Sequence, residues 1–195
     1  LCLPKASAGG VPAAVAAKPT ARRIALLIGN YRYQSPIPSL ETPSSDVDQV
    51  AASLRQKLGF DVRVIKNATK PDMIRAVAAL AREAGPADSV FVYYAGHGYQ
   101  MDDTGMGYWI PVDGSVKTAA QWISNADISR LLGAIPARQL MLVSDSCFSG
   151  TLAREHNPGI AAFSPGEVLR KRSVLVLSSG GEEPVSDEGK EGHSI

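Results

Sequence analysis

Ser89-Val90-Phe91-Val92-Tyr93-Tyr94-Ala95-Gly96-His97-Gly98 is the stretch on which the fold of this chain turns. From Val90 to Ala95 every residue is β-branched, aromatic or small and apolar. No polar side alternates with the apolar one, so the stretch suits a strand buried on both faces. Gly96 and Gly98 end it and let the backbone turn sharply around His97. A histidine placed there stands beyond the carboxyl end of a buried strand, where open α/β sheets gather their functional groups.

Upstream, Ile24-Ala25-Leu26-Leu27-Ile28 is another continuous apolar run, ended by Gly29-Asn30. Between the two runs, Val47, Val50, Ala51, Leu54 and Leu58 share one helical face. That spacing predicts a helix over 46–58, with Ser45 as N-cap, Asp48 three residues later and Gly59 as its end. Val62, Val64 and Ile65 mark a second strand. Thr69 then caps a helix with Pro71 in its first turn and Met73, Val77, Leu80 and Ala81 on its buried side. Downstream of His97, residues 99–117 read as polar and irregular. Ile128, Leu131, Leu132 and Ile135 predict a third helix ending near Pro136. Gln139 to Val143 is the fourth strand, running into Asp145-Ser146-Cys147, and Ser173 to Leu177 is the fifth. Strands alternating with helices predict an α/β domain whose mainly parallel central sheet is covered on both faces.

With 195 residues, 45% hydrophobic and 20% charged, the chain has the size and composition of one globular domain. The formal charge is +1 and no basic stripe is interleaved with aromatics, so nucleic acid is not an expected partner. Nor is a membrane, since no apolar run reaches spanning length. The chain opens at Leu1, and Ala6-Ser7-Ala8 fits a signal-peptide cleavage pattern. Residues 1–21 are therefore expected to be a leader remnant and linker, with one folded domain over 22–195. Export to the periplasm or the exterior is preferred on this ground over a cytoplasmic location. Cys2 and Cys147 are the two cysteines. With the leader removed no internal disulfide can form, and Cys147 is either an inert core thiol or a reactive one.

Peptide hydrolysis by a thiol needs a thiolate, a proton shuttle and donors for the developing oxyanion. Cys147 follows a buried strand, so its sulfur is expected at a strand-to-loop corner as nucleophile, with His97 as acid/base partner. The backbone N–H groups of Gly98 and Cys147 are the natural oxyanion donors. Alone, a histidine after a strand is more often structural, and a cysteine there is a core residue at least as often as a reactive one. Their conjunction, with the histidine first and the cysteine 50 positions later, each after a buried strand, is far more specific.

Four blocks carry a family resemblance: Arg23-Ile24-Ala25-Leu26-Leu27-Ile28-Gly29-Asn30-Tyr31, Tyr93-Tyr94-Ala95-Gly96-His97-Gly98, Trp109-Ile110-Pro111-Val112-Asp113 and Asp145-Ser146-Cys147-Phe148-Ser149-Gly150. With them the sequence resembles the caspase-like cysteine peptidases, most of all their bacterial and metacaspase-type branch. The match spans residues 22–150, and Ser178-Ser179-Gly180-Gly181 extends it, with Ser178 expected to line the substrate site. The resemblance implies a caspase-like α/β/α sandwich and a cysteine-type endopeptidase. The family fold continues past the fifth strand, so its C-terminal part is expected to be truncated at Ile195. It also implies a monomer, because the sheet elements through which animal caspases dimerise lie further on.

Animal caspases hold a substrate aspartate with a glutamine two before the nucleophile and an arginine before the first helix. This chain has Asp145 and Thr42 there. Metacaspase-like enzymes resemble it instead, with acids at the positions of Asp145 and Asp46. Two carboxylates in one pocket favour a guanidinium or ammonium group. Cleavage after Arg or Lys is therefore expected, with basic proteins or peptides as substrates. Otherwise Asp46 serves only the helix N-terminus and Asp145 a local hydrogen bond. Arg154, Arg170, Lys171 and Arg172 lie where caspase-like zymogens are often processed, and offer either self-cleavage sites or a solvated basic surface. His156 and His193 lack metal-ligand spacing, so neither a metal nor another cofactor is expected. Calcium, which some metacaspases need, finds only the pair Asp102-Asp103, well short of its six to eight oxygens, and stays open. No G-x-S-x-G elbow, P-loop or dinucleotide fingerprint is present. The competing reading is a catalytically inactive caspase-like module that binds partner proteins, and the presence of both His97 and Cys147 weighs against it.

Overall fold

The five strands form and pair in parallel. β1 (Arg23–Gly29), β2 (Asp61–Lys66), β3 (Ser89–Ala95), β7 (Gln139–Asp145) and β8 (Ser173–Ser178) lie side by side in the order β2-β1-β3-β7-β8. The computed structural model describes residues 21–101, 104–146 and 173–178. The expected leader and the expected C-terminal truncation fall outside them. Arg23 stands opposite Ser89 and Gly29 opposite Ala95; Ser89 stands opposite Gln139 and Ala95 opposite Asp145. β1, β3 and β7 thus end level, and the segments that leave them start from one edge of the sheet.

Helices cover both faces, giving the expected sandwich. α1 (Pro43–Leu58) buries Val47, Ala51 and Leu54 against Ala25, Leu27, Tyr93 and Ala95. α2 (Lys70–Glu83) and α3 (Asn125–Gly133) pack on the opposite face, where Met73, Val77, Leu80, Ile128 and Leu132 meet Ile24, Ile28, Val92, Tyr94 and Leu142. α2 opens on a complete capping box: Thr69 accepts from the Asp72 N–H, and Asp72 accepts from the Thr69 N–H.

α1 starts earlier than expected, and Ser45 is not its cap. Thr42 is the N-cap residue, and its carbonyl accepts the N–H groups of Ser45 and Asp46 at 2.9 and 3.0 Å. Pro43, with its φ fixed and its N–H missing, suits the first helical turn. Asp48 reaches Lys66 at 2.7 Å instead of closing a capping box. At the other end Gly59 adopts φ 65°, the left-handed conformation that ends helices. A Cβ on Gly29 would stand 2.9 Å from a Val47 methyl and 3.0 Å from the Pro43 carbonyl. That contact sets the first turn of α1, with Asp46, against the carboxyl end of β1.

The segment expected to be irregular, 99–117, is partly ordered into strands. β4 (Gly98–Gln100), β5 (Gly107–Trp109) and β6 (Ile123–Ser124) make a small antiparallel sheet in that order. Strands of two or three residues are too short to show a hydrophobic period.

Candidate active site

His97 leaves the end of β3 and is clamped at both of its backbone polar groups. Its N–H donates to Tyr33 Oη at 2.8 Å, and its carbonyl accepts from Tyr94 Oη at 2.8 Å and from the Ile110 N–H at 3.0 Å. The Tyr33 and Tyr94 hydroxyls also bond each other. Each carries one proton, so Tyr33 donates to Tyr94 and Tyr94 to the His97 carbonyl. Burial holds both phenols far above their usual pKa, so they stay neutral donors. A Cβ on Gly96 would stand 2.7 Å from Tyr33 Oη and 2.8 Å from Tyr94 Oη, so this clamp admits only glycine there.

The His97 ring packs against Tyr33 with centroids 4.7 Å apart, and Nε2 lies 2.8 Å from the Pro38 carbonyl. A carbonyl can only accept, so Nε2 carries a proton and Nδ1 is the basic nitrogen of the neutral ring. Gly98, the expected oxyanion donor, pairs with Trp109 in β4–β5. His97 with Ile110, and Met101 with Met106, are hydrogen-bonded pairs of the same ladder. Alternation makes Gly98 with Trp109 a non-hydrogen-bonded pair, so the Gly98 N–H points away from β5.

Asp145 bonds the Tyr93 hydroxyl, and the charge of Asp46 acts on the same phenol. Asp145 ends β7, and its Oδ2 accepts from Tyr93 Oη at 3.3 Å. Asp46, 8% exposed, sits in the first turn of α1 on the same face of the sheet. The Tyr93 phenol is raised far above its usual range by burial first, then by the negative charges of Asp145 and Asp46. Beyond its place in the strand and in the histidine block, Tyr93 is the group bonded by Asp145 and acted on by the charge of Asp46.

On the opposite face of the sheet a buried chain runs towards residue 147. Tyr94 stacks on Trp109 with centroids 4.3 Å apart, Trp109 Nε1 donates to Ser144 Oγ at 2.9 Å, and Ser144 Oγ bonds Ser146 Oγ at 3.1 Å. The residue before Cys147 is thereby tied to the strand that carries His97. The block Trp109–Asp113 takes its meaning from here: Trp109 makes this tie, and Asp113 accepts the Lys70 N–H at 3.0 Å at the start of α2. Cys147 itself, the basic residues Arg154, Arg170, Lys171 and Arg172, and the pair Asp102-Asp103 lie outside the described residues, as does the side chain of Ser178. Among the described residues no three His, Cys, Asp or Glu side chains gather as metal ligands, and no helix is long and apolar enough to cross a membrane.

A family model described as Caspase domain matches residues 22–195. The chain belongs to the caspase-domain family. Metacaspase-1A of Aspergillus niger is 33% identical over 153 residues, and metacaspase-7 of Arabidopsis thaliana 31% identical over 168. These alignments cover 68% and 77% of the chain, which spans only 37% and 40% of those longer proteins. The human mucosa-associated lymphoid tissue lymphoma translocation protein 1 is 36% identical over 91 residues, 47% of this chain and 11% of that protein. A crystal structure of a Geobacter sulfurreducens protein shares the fold at TM-score 0.65 and 19% identity, covering 89% of this chain and 78% of that one. The metacaspase resemblance is thus met by fungal and plant relatives.

Proposed function

We propose that the chain is a cysteine endopeptidase in which Cys147 attacks the peptide carbonyl, His97 moves the proton, and the bond cut follows an arginine or lysine. The observation that carries this reading is the bond of Asp145 to the Tyr93 hydroxyl, with the charge of Asp46 acting on the same group, at the sheet edge from which His97 departs. His97 Nδ1 takes the thiol proton of Cys147, and the sulfur bonds the carbonyl carbon. The oxyanion is held by the N–H groups of Gly98 and Cys147. His97 gives the proton to the leaving amine, the C–N bond breaks, and water, deprotonated by His97, hydrolyses the thioester. The Pro38 carbonyl keeps the ring in the tautomer that leaves Nδ1 free, as an acceptor behind a catalytic histidine does elsewhere. Asp46 and Asp145 receive the cation of the residue before the cut through charge-assisted hydrogen bonds.

The test is a set of fluorogenic peptides ending in Arg, Lys or Asp, given to the full-length protein beside labelling of Cys147 with iodoacetamide. Turnover of the Arg and Lys peptides and a labelled Cys147 are expected. Preference for Asp would sink the pocket assignment. An inert Cys147 with no turnover would favour the partner-binding module instead.

A further inference from the structure

The face of the small sheet that carries His97 continues past it. The Ile110 N–H bonds the His97 carbonyl at 3.0 Å, and the Met101 N–H bonds the Met106 carbonyl at 2.9 Å. The β4–β5 register, Gly98 opposite Trp109 and Tyr99 opposite Tyr108, therefore extends to His97 opposite Ile110 at one end and Met101 opposite Met106 at the other. Side chains alternate along a strand, so His97, Tyr99, Tyr108 and Met106 share one face. Side-chain contacts agree: the Tyr99 and Tyr108 rings both meet the Trp122 ring edge-on at 5.2 and 5.6 Å, and Tyr108 Oη lies 3.1 Å from Met106 Sδ. Next to His97 this face is covered, because Ile110 and Trp122 are buried with Tyr33 and Ile37. Further along it opens. Tyr99 is 41% and Met106 40% exposed.

We propose that Tyr99 and Met106 form a binding subsite for an apolar, preferably aromatic, side chain on the leaving side of the substrate, at the third residue after the cut. The proposal rests on the peptidase reading above. A histidine that protonates the leaving amine must have the first residue after the cut against its ring. An extended substrate advances about 3.3 Å per residue, as β4 does, so the third residue comes level with Tyr99, two positions beyond His97, and points to the same side as the first. The surface waiting there is an aromatic ring beside a thioether, which favours aromatic and long aliphatic groups.

The experiment uses internally quenched peptides with Arg before the cut, Gly at the next two positions, and Phe, Leu, Gly or Asp at the third, cleaved by the full-length protein. Phe and Leu are expected to exceed Gly and Asp by about five- to tenfold in kcat/KM. Tyr99→Ala should bring the Phe-to-Gly ratio near one, and Tyr99→Phe, which keeps the ring, should preserve it. A flat profile with Arg cleavage intact overturns this subsite and leaves the peptidase reading standing. So does a ratio that survives Tyr99→Ala and Met106→Ala. A dimer of the wild-type chain that Tyr99→Ala dissolves, with a flat profile, would give the face to a second copy and also overturn the proposal. Absence of cleavage in every peptide overturns both readings.

Discussion

Replacing Tyr33 with phenylalanine removes one oxygen from the clamp on His97 and leaves the ring in place. That oxygen accepts the His97 N–H at 2.8 Å and bonds the buried Tyr94 hydroxyl. Tyr33 is only 9% exposed, so water cannot readily take over. A buried donor left without a partner costs about 1–3 kcal/mol. The ring contact with His97 stays, so no cavity adds to it. In a domain of this size each kcal/mol lowers Tm by about 2–4 °C, which gives a fall of about 2–12 °C. Activity should suffer separately. The His97 carbonyl keeps its two donors, but its N–H is freed, and the imidazole loses the anchor nearest its Cα. Small displacements of a catalytic group cost up to about 100-fold, so kcat on an Arg-terminated peptide should drop about 10- to 100-fold. KM should barely move, because Asp46, Tyr93 and Asp145 lie on the other face of the sheet. Thermal unfolding and steady-state kinetics read the two effects. Wild-type Tm with wild-type kcat, or a raised KM at unchanged kcat, would refute the clamp.

Asp145→Asn and Asp46→Asn should each lower kcat/KM on Arg peptides by about 30- to 5,000-fold, the range of about 2–5 kcal/mol for truncating one partner of a buried charge pair. Iodoacetamide labelling of Cys147 at the wild-type rate would show that the thiol is untouched. Trp109→Phe keeps the stack on Tyr94 but loses the bond to Ser144, and should cost about 1–3 kcal/mol in urea unfolding. A cost below 0.3 kcal/mol would mean that Ser146 satisfies Ser144 alone. Arg22 bonds Asp88 at 2.7 Å and, with the N–H groups of Gly85 and Arg22, holds its carboxyl at about 2. That value lies below the unfolded one of about 3.9, so the stabilisation is full above pH 4 and is lost as pH falls from about 4 to 2. Asp88→Asn should remove about 1–2 kcal/mol at pH 7 and flatten that part of the acid unfolding curve. Intact mass of active protein beside a Cys147→Ala variant tests self-processing near Arg154, Arg170, Lys171 and Arg172, and identical masses would exclude it.

The main sheet was legible because its central strands β1 and β3 are buried on both faces and need no period to be recognised. Ile24–Ile28 and Val90–Ala95 declare themselves by unbroken apolar character. The start of α1 was misread because Ser45 and Asp48 imitate a capping box, while the deciding residues are Pro43, which can open a helix, and Asp48's preference for Lys66. The small sheet was invisible for want of length. The acceptor for His97 Nε2 was invisible for a different reason: it is the backbone carbonyl of Pro38, and any residue there would supply the same oxygen.

Two neighbouring tyrosines show how the fold divides the work. Strand alternation sends Tyr93 to the α1 face, beside Asp46 and Asp145, and Tyr94 to the opposite face, beside Trp109 and under the His97 carbonyl. On the proposed peptidase reading, substrate recognition and histidine positioning are built from consecutive residues without sharing a contact. The division depends on register. A slip of β7 by one residue against β3 would turn Asp145 away from Tyr93 and Ser144 away from Trp109 at once. Changes on the Tyr93 face should therefore alter which peptide is chosen, and changes on the Tyr94 face should alter how fast any peptide is cut.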